Sequence, residues 1–299
     1  MLDLRRLEIL HRFAARGTIT ATAADLGYSP SAVSQQLAAL EREAGVALLE
    51  RTAQRASLTD AGRELAEHAA RILAATEAAQ SRMRARVGVV GGRVAVGCVP
   101  ALAPALAPQL AILQRENPEL TVVAHETVAT TAAAAVLDRR HDLAVIDDWS
   151  GRPPDEVAGL AVHRLRREEV VLGVPADHPL AERPQRPVSA ARLRETVQRW
   201  TWLCAPAGQL SRAAGDQRLA AAQADPPRRW EFQGLHILAT LVATGAGVAL
   251  LPAGIARDQP GVTGLRLAPR MGRDILALTR TTTRQDPAIA ACLRAAQRA

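Results

Sequence analysis

The stretch Ala23-Ala24-Asp25-Leu26-Gly27-Tyr28-Ser29-Pro30-Ser31-Ala32-Val33-Ser34-Gln35-Gln36-Leu37-Ala38-Ala39-Leu40-Glu41 admits few folds. Gly27 stops a short helix, and Tyr28-Ser29-Pro30 restarts the chain as a second one. Ser29 suits an N-cap, and Pro30 suits the first helical position, where no amide donor is needed. Val33, Leu37 and Leu40 fall on one face and would seat this helix on a small core. Ser31 and Gln35 point roughly the other way, with Ser34 on the flank. A helix of this kind fits a major groove, where glutamine pairs with adenine and serine bonds bases or phosphates. The competing reading is an ordinary helical hairpin with a polar outer face, because helix-turn-helix patterns are short.

Bulk charge does not decide between the two. All 37 basic residues are arginine and the net charge is +7, yet residues 1–86 carry 12 Arg against 10 Asp or Glu. DNA binding must therefore rest on local geometry. The length of 299 residues implies two or three units. With aromatics at only 2%, their cores must be filled by Ala, Leu and Val. Cys98, Cys204 and Cys292 form no CxxC and no ligand spacing with histidine, which predicts a reducing compartment, no disulfide scaffold and no metal. The N-terminus lacks the apolar run of a signal peptide, and no stretch reaches 18 uninterrupted apolar residues. The expectation is a cytoplasmic protein with no membrane partner and no cofactor.

Around the central motif, Leu4, Leu7, Leu10 and Phe13 mark a first helix ending near Gly17. After Gly45, residues 46–59 read as two short extended segments around a polar turn, a wing. Arg51 and Arg55 there are candidates for phosphate or minor-groove contact, or simply solvated arginines. Thr59-Asp60-Ala61-Gly62 starts a helix running to about Arg86. Leu65, Ile72 and Ala79 recur at sevens, with Ala61, His68 and Met83 in neighbouring positions, which fits packing between two chains. Glycines at 88, 91 and 92 suggest a hinge.

From Arg93 short apolar strands alternate with helices, which predicts a parallel or mostly parallel sheet. Strands are expected at 94–99, 120–123 and 142–146, then at 169–174, 200–204, 230–232, 248–252, 265–267 and 274–278. The pattern fits two similar α/β lobes, with the last strand and helix returning to the first and crossings near 161–166 and 265–270. No GxSxG, GxxxxGK[ST] or HExxH occurs, so no enzyme is expected.

The chain resembles the LysR-type transcriptional regulators. The resemblance is carried by Phe13, Ala23-Ala24, Leu26, 29–36, Leu40-Glu41, Gly45, 48–51 and 58–62, and further by 142–146 and 241–252. Leu49 departs from the Phe common in the family. The resemblance implies a winged helix-turn-helix at 1–58, a linker and dimerisation helix with hinge at 59–92, and a two-lobed, periplasmic-binding-protein-like α/β effector region at 93–299. Lobe I would take 93–162 plus 268–299, and lobe II 163–267. It implies double-stranded DNA as partner, faced by Ser29, Ser31, Ser34, Gln35, Arg51 and Arg55. It also implies a homodimer assembling into a homotetramer, contact with RNA polymerase, and a small-molecule effector in the inter-lobe cleft.

The cleft segments implied are Cys98, Val99, Pro100 and Ala101, then Thr127, Thr130 and Thr131, then Asp148 and Trp149, then Trp202 and Cys204, and finally Thr244 and Gly245. Cys98 and Val99 stand where the family often has a hydroxyl. Helix starts after strands predict an effector with a polar or anionic group. Trp149 and Trp202 would wall it, or serve only local packing. Cys98 and Cys204 also raise a thiol switch, although apolar strand contexts usually leave thiols inert. Two further readings stay open: a solute-binding protein without transcriptional role, and a plain repressor released by its ligand.

Overall fold

The computed structural model describes residues 1–52, 56–152 and 156–299. The N-terminal unit comprises α1 (Leu4–Arg16), α2 (Ile19–Leu26), α3 (Pro30–Ala44), β1 (Leu49–Arg51) and β2 (Ala56–Leu58). Ser29 Oγ accepts from Ala32 N at 3.2 Å, the cap its position predicts. Leu7, Leu10, Phe13, Ala23, Val33, Leu37, Leu40 and Leu48 form a closed core. The two wing strands pair antiparallel, Leu49 opposite Leu58. Glu41 Oε1 accepts from Leu48 N and Leu49 N at 3.0 and 2.9 Å, which ties the wing to α3.

The linker helix α4 (Asp60–Val87) buries Ala66, Ala69 and Leu73. Its start is set by Gly62, where a Cβ would lie 2.1 Å from Leu48 O. Its far half is fastened to the two-lobed region of the same chain. Arg280, 5% exposed, donates through Nε to Glu77 Oε1 at 2.9 Å. The same guanidinium reaches Val136 O and His141 O, both at 2.7 Å, and Asp142 at 2.6 Å. Arg84 Nε donates to Asp286, the N-cap of the last helix, at 2.8 Å.

The two-lobed region begins with β3 (Gly92–Cys98), α5 (Ala103–Glu116), β4 (Leu120–Glu126), α6 (Ala129–Leu137), β5 (Leu143–Asp148), β6 (Leu160–Pro175), α7 (Ala190–Arg199) and β7 (Trp202–Cys204). After these come α8 (Leu210–Ala221), β8 (Arg229–Glu231), α9 (Leu235–Ala243), β9 (Val248–Pro252), α10 (Ala253–Asp258), β10 (Val262–Arg280) and α11 (Pro287–Arg298). The strands are ordered β4-β3-β5-β10-β6-β9-β7-β8.

The sheet is more mixed than the sequence predicts. β3, β4 and β5 are parallel, and so are β7, β8 and β9, but β10 runs antiparallel to β5 and β6, and β6 antiparallel to β9. The cause is that the segments expected at 169–174, 265–267 and 274–278 belong to two strands of 16 and 19 residues that traverse both lobes. Leu165 and Ile275 pack in the lobe I core, whereas Val170 and Met271 pack in lobe II. The crossings therefore lie at 166–169 and 272–274, a few residues beyond those expected. Helices α7 and α10 were not anticipated. Among the described residues, no helix is long and apolar enough to cross a membrane.

Candidate DNA-reading helix and inter-lobe cleft

Helix α3 presents two faces. Val33, Leu37 and Leu40 are 1% exposed or less, whereas Ser31 and Gln35 are exposed and Ser34 is half-buried. Ser29, besides capping, lies 2.9 Å from Ser31 through their hydroxyls. Gln36 is turned inward and accepts from Arg6 Nε at 3.0 Å. Arg42 extends the outer face: it lies eleven residues after Ser31, three helical turns, and is exposed. The same period that singled out Gln35 would have found it. Arg51 ends β1 opposite Ala56, and Arg55 lies outside the described residues.

The cleft between the lobes holds a partly open cavity of about 80 Å³. From lobe I it is lined by the chain just after β3 (Val99, Pro100, Ala101), by the β4–α6 turn, and by Asp147 and Trp149 at the end of β5. From lobe II come the starts of α8 and α9. Six of the expected residues line it: Val99, Pro100, Ala101, Thr127, Thr130 and Trp149.

The others do not line it. Cys98 is buried behind Val99, and its thiol donates to Val99 O at 3.3 Å. Thr131 donates to Val128 O, also at 3.3 Å, within its own helix turn. Asp148 points the other way from Asp147, as strand alternation requires, and accepts from Ser150 N at 3.1 Å. Trp202, 1% exposed, and Cys204 pack in the lobe II core. Thr244 and Gly245 close the C-terminal end of α9, the end away from the cleft, where Thr244 Oγ1 donates to Leu241 O at 2.8 Å. The α9 residues that do line it, Leu235 with Gln233 and Gly234 before it, are those following a strand. The rule that open α/β sheets bind ligands where strands end and helices begin points there.

Behind the cleft wall, at the crossing, sits Arg273, 2% exposed. Its Nη1 donates to Asp147 Oδ2 at 2.8 Å, and its Nε and Nη2 donate to Glu168 Oε2 at 2.9 and 2.7 Å. Trp149 Nε1 donates to the same Asp147 oxygen at 2.7 Å, and the guanidinium carbon lies 5.5 Å from the Trp149 ring centre. Burial works to raise the Glu168 pKa, but the Arg273 charge and hydrogen bonds outweigh it and hold the carboxylate below its ordinary value. Burial also pushes the Cys98 thiol up to about 12, with the Asp147 charge adding to it. Cys204 is likewise raised, burial outweighing the nearby Arg212.

Comparison with known proteins places both halves of the chain. "Bacterial regulatory helix-turn-helix protein, lysR family" matches residues 4–63 and "LysR substrate binding domain" matches residues 88–299. The probable hydrogen peroxide-inducible genes activator of Streptomyces viridosporus is 31% identical, over 92% of this chain and 88% of its own length. The nitrogen assimilation regulatory protein nac of Escherichia coli is 28% identical, over 87% and 81%. A full-length OxyR variant from Pseudomonas aeruginosa shares the fold with a TM-score of 0.71 at 21% identity, covering 99% of this chain and 98% of its own. The two-faced, capped α3, the linker helix and the two-lobed region beyond it thus belong to a single architecture, and the chain is a member of the LysR family of DNA-binding transcriptional regulators.

Proposed function

We propose that this regulator reads its operator through Ser31, Ser34 and Gln35 on α3. Ser29 sets the helix start, and Arg51, Arg55 and Arg42 hold the phosphate backbone. The observation that carries this reading is the exposure of Ser31 and Gln35 on the face opposite the buried Val33, Leu37 and Leu40. Two chains join through α4 and two dimers form a homotetramer, matching a two-fold operator with two reading heads. Bound beside a promoter, the assembly contacts RNA polymerase. A small effector occupies the inter-lobe cleft, and the chain carries no catalysis of its own.

Peroxide sensing, suggested by the names of several relatives, fits less well. The reacting form would be a thiolate, and burial raises all three thiols, Cys98 and Cys292 to about 12. A mobility shift with DNA from upstream of the protein's own gene tests the DNA reading. A retarded, sequence-dependent band is expected. Binding no better than to random DNA would return the chain to the solute-binding alternative.

A further inference from the structure

The cleft carries unsatisfied groups of both signs, divided between the lobes. On the lobe I wall, Asp147 is 9% exposed and spends Oδ2 on Trp149 and Arg273, while its Oδ1 has no donor among the described residues. Thr127 is 7% exposed, lines the same space, and its hydroxyl has no partner among the described residues. Glu126 stands beside it, exposed and also without a partner there. Among the described residues, no arginine or histidine lines the cavity, in a chain with 37 arginines. On the lobe II wall, α8 and α9 begin at Gln209 and Gly234, neither of which caps its helix through a side chain. Their first-turn amides are left as donors at the positive end of each helix.

A carboxylate alone would satisfy the helix starts but lie against two acidic residues. An amine alone would satisfy the acids and face the helix starts. A molecule with both groups meets each wall with its opposite. We propose that the cleft binds a small zwitterion of the amino-acid type, its ammonium on Asp147 Oδ1, Thr127 and Glu126 and its carboxylate on the starts of α8 and α9. The proposal rests on the cleft being the effector site, and it narrows the polar or anionic expectation to a specific charge pattern. Such a ligand bridges lobe I to lobe II and so favours the closed arrangement over an open one.

Calorimetry on the full-length protein tests it with matched sets: L-valine against isobutylamine and isovalerate, and L-alanine against ethylamine and propionate, followed by the remaining apolar amino acids. An amino acid is expected to bind about tenfold or more tighter than either relative, since each lacks one charged hydrogen-bonding group. Glu126→Gln, at an exposed position, is expected to weaken the amino acid about tenfold and leave the matched acid unchanged or tighter. A matched acid or amine binding as tightly as its amino acid, or no apolar amino acid binding at all, overturns the zwitterion. Ala205→Trp separates this from failure of the cleft reading, because Ala205 lines the cavity. Acid or amine binding lost in Ala205→Trp leaves the cleft standing without the zwitterion. Binding that survives Ala205→Trp sinks the cleft and the zwitterion together. If no probe binds, a promoter response in cells that Ala205→Trp leaves unchanged sinks the cleft as well.

Discussion

Gln35 and Arg273 show two opposite uses of a polar side chain. Gln35 is exposed and bonds no described residue, which suits the base contact proposed for its amide. Gln35→Ala should therefore leave folding intact and reduce discrimination among operator variants by about 1–3 kcal/mol, the worth of a bidentate contact. Titration against single-base operator variants measures it, and an unchanged sequence preference would remove Gln35 from the specificity role. Arg273 is buried and pairs with both Asp147 and Glu168. Arg273→Met leaves the buried Asp147 without a cation, while Glu168 keeps Arg166, and should cost about 3–5 kcal/mol, read as a lower urea midpoint. The pH dependence has a definite sign. Glu77 and Glu168 both have folded pKa values below the ordinary 4.5, because their arginines outweigh burial. Their contribution is full above the unfolded pKa and disappears as pH falls through the lowered folded values. Arg273→Met should reduce the Glu168 part of that acid loss and leave the Glu77 part in place, and a wild-type midpoint unchanged on acidification would refute the dependence.

At the scale of elements, α4 is solved from one side only. Ala66 and Ala69 pack into the core of the reading head and Leu73 is buried, while Ile72 and Met83 are 39% and 55% exposed. Those two belong to the heptad stripe visible in the sequence, whose first residues, Ala61 and Leu65, pack on the reading-head core and whose later ones stay exposed in the single chain. Ile72→Glu should shift the protein from dimer to monomer in sedimentation equilibrium, with DNA affinity falling because two heads no longer bind as one unit. A dimer of unchanged affinity would assign the seam elsewhere.

Local signals explain what else was legible. Caps and glycine stops gave α3 and α4 to within a residue of their ends. The long strands were less visible, because Arg166, Arg167, Glu168 and Glu169 in β6, and Arg270 and Arg273 in β10, break the apolar pattern where the strands leave one core for the other. The cleft was half legible: its strand ends were found, but Trp202 and Cys204 were misplaced because an apolar strand does not reveal which side faces a cavity. Arg273 was invisible, since its partners lie 105 and 126 residues away.

Over the whole molecule, cleft and reading head are joined through α4, and the joint is specific. Glu77 on α4 holds Arg280 at the end of β10, and that guanidinium also grips the carbonyls of Val136 and His141 beside α6. Lobe I is therefore fastened to the linker helix, whereas, among the described residues, lobe II meets lobe I across the β6 and β10 crossings and the cleft. A ligand that closes lobe II onto lobe I changes the surfaces one chain offers another while leaving each reading head attached to its own helix. It alters transcription only by favouring one assembly over another. Footprinting with and without effector should thus give a shortened or shifted protection at nearly constant affinity. Glu77→Gln, which weakens the joint without touching cleft or α3, should retain both effector and DNA binding and lose the change in footprint. Loss of the entire footprint on adding effector, at fixed protein concentration, would favour a plain repressor released by its ligand. An effector-dependent shift preserved in Glu77→Gln would move the coupling away from this ion pair.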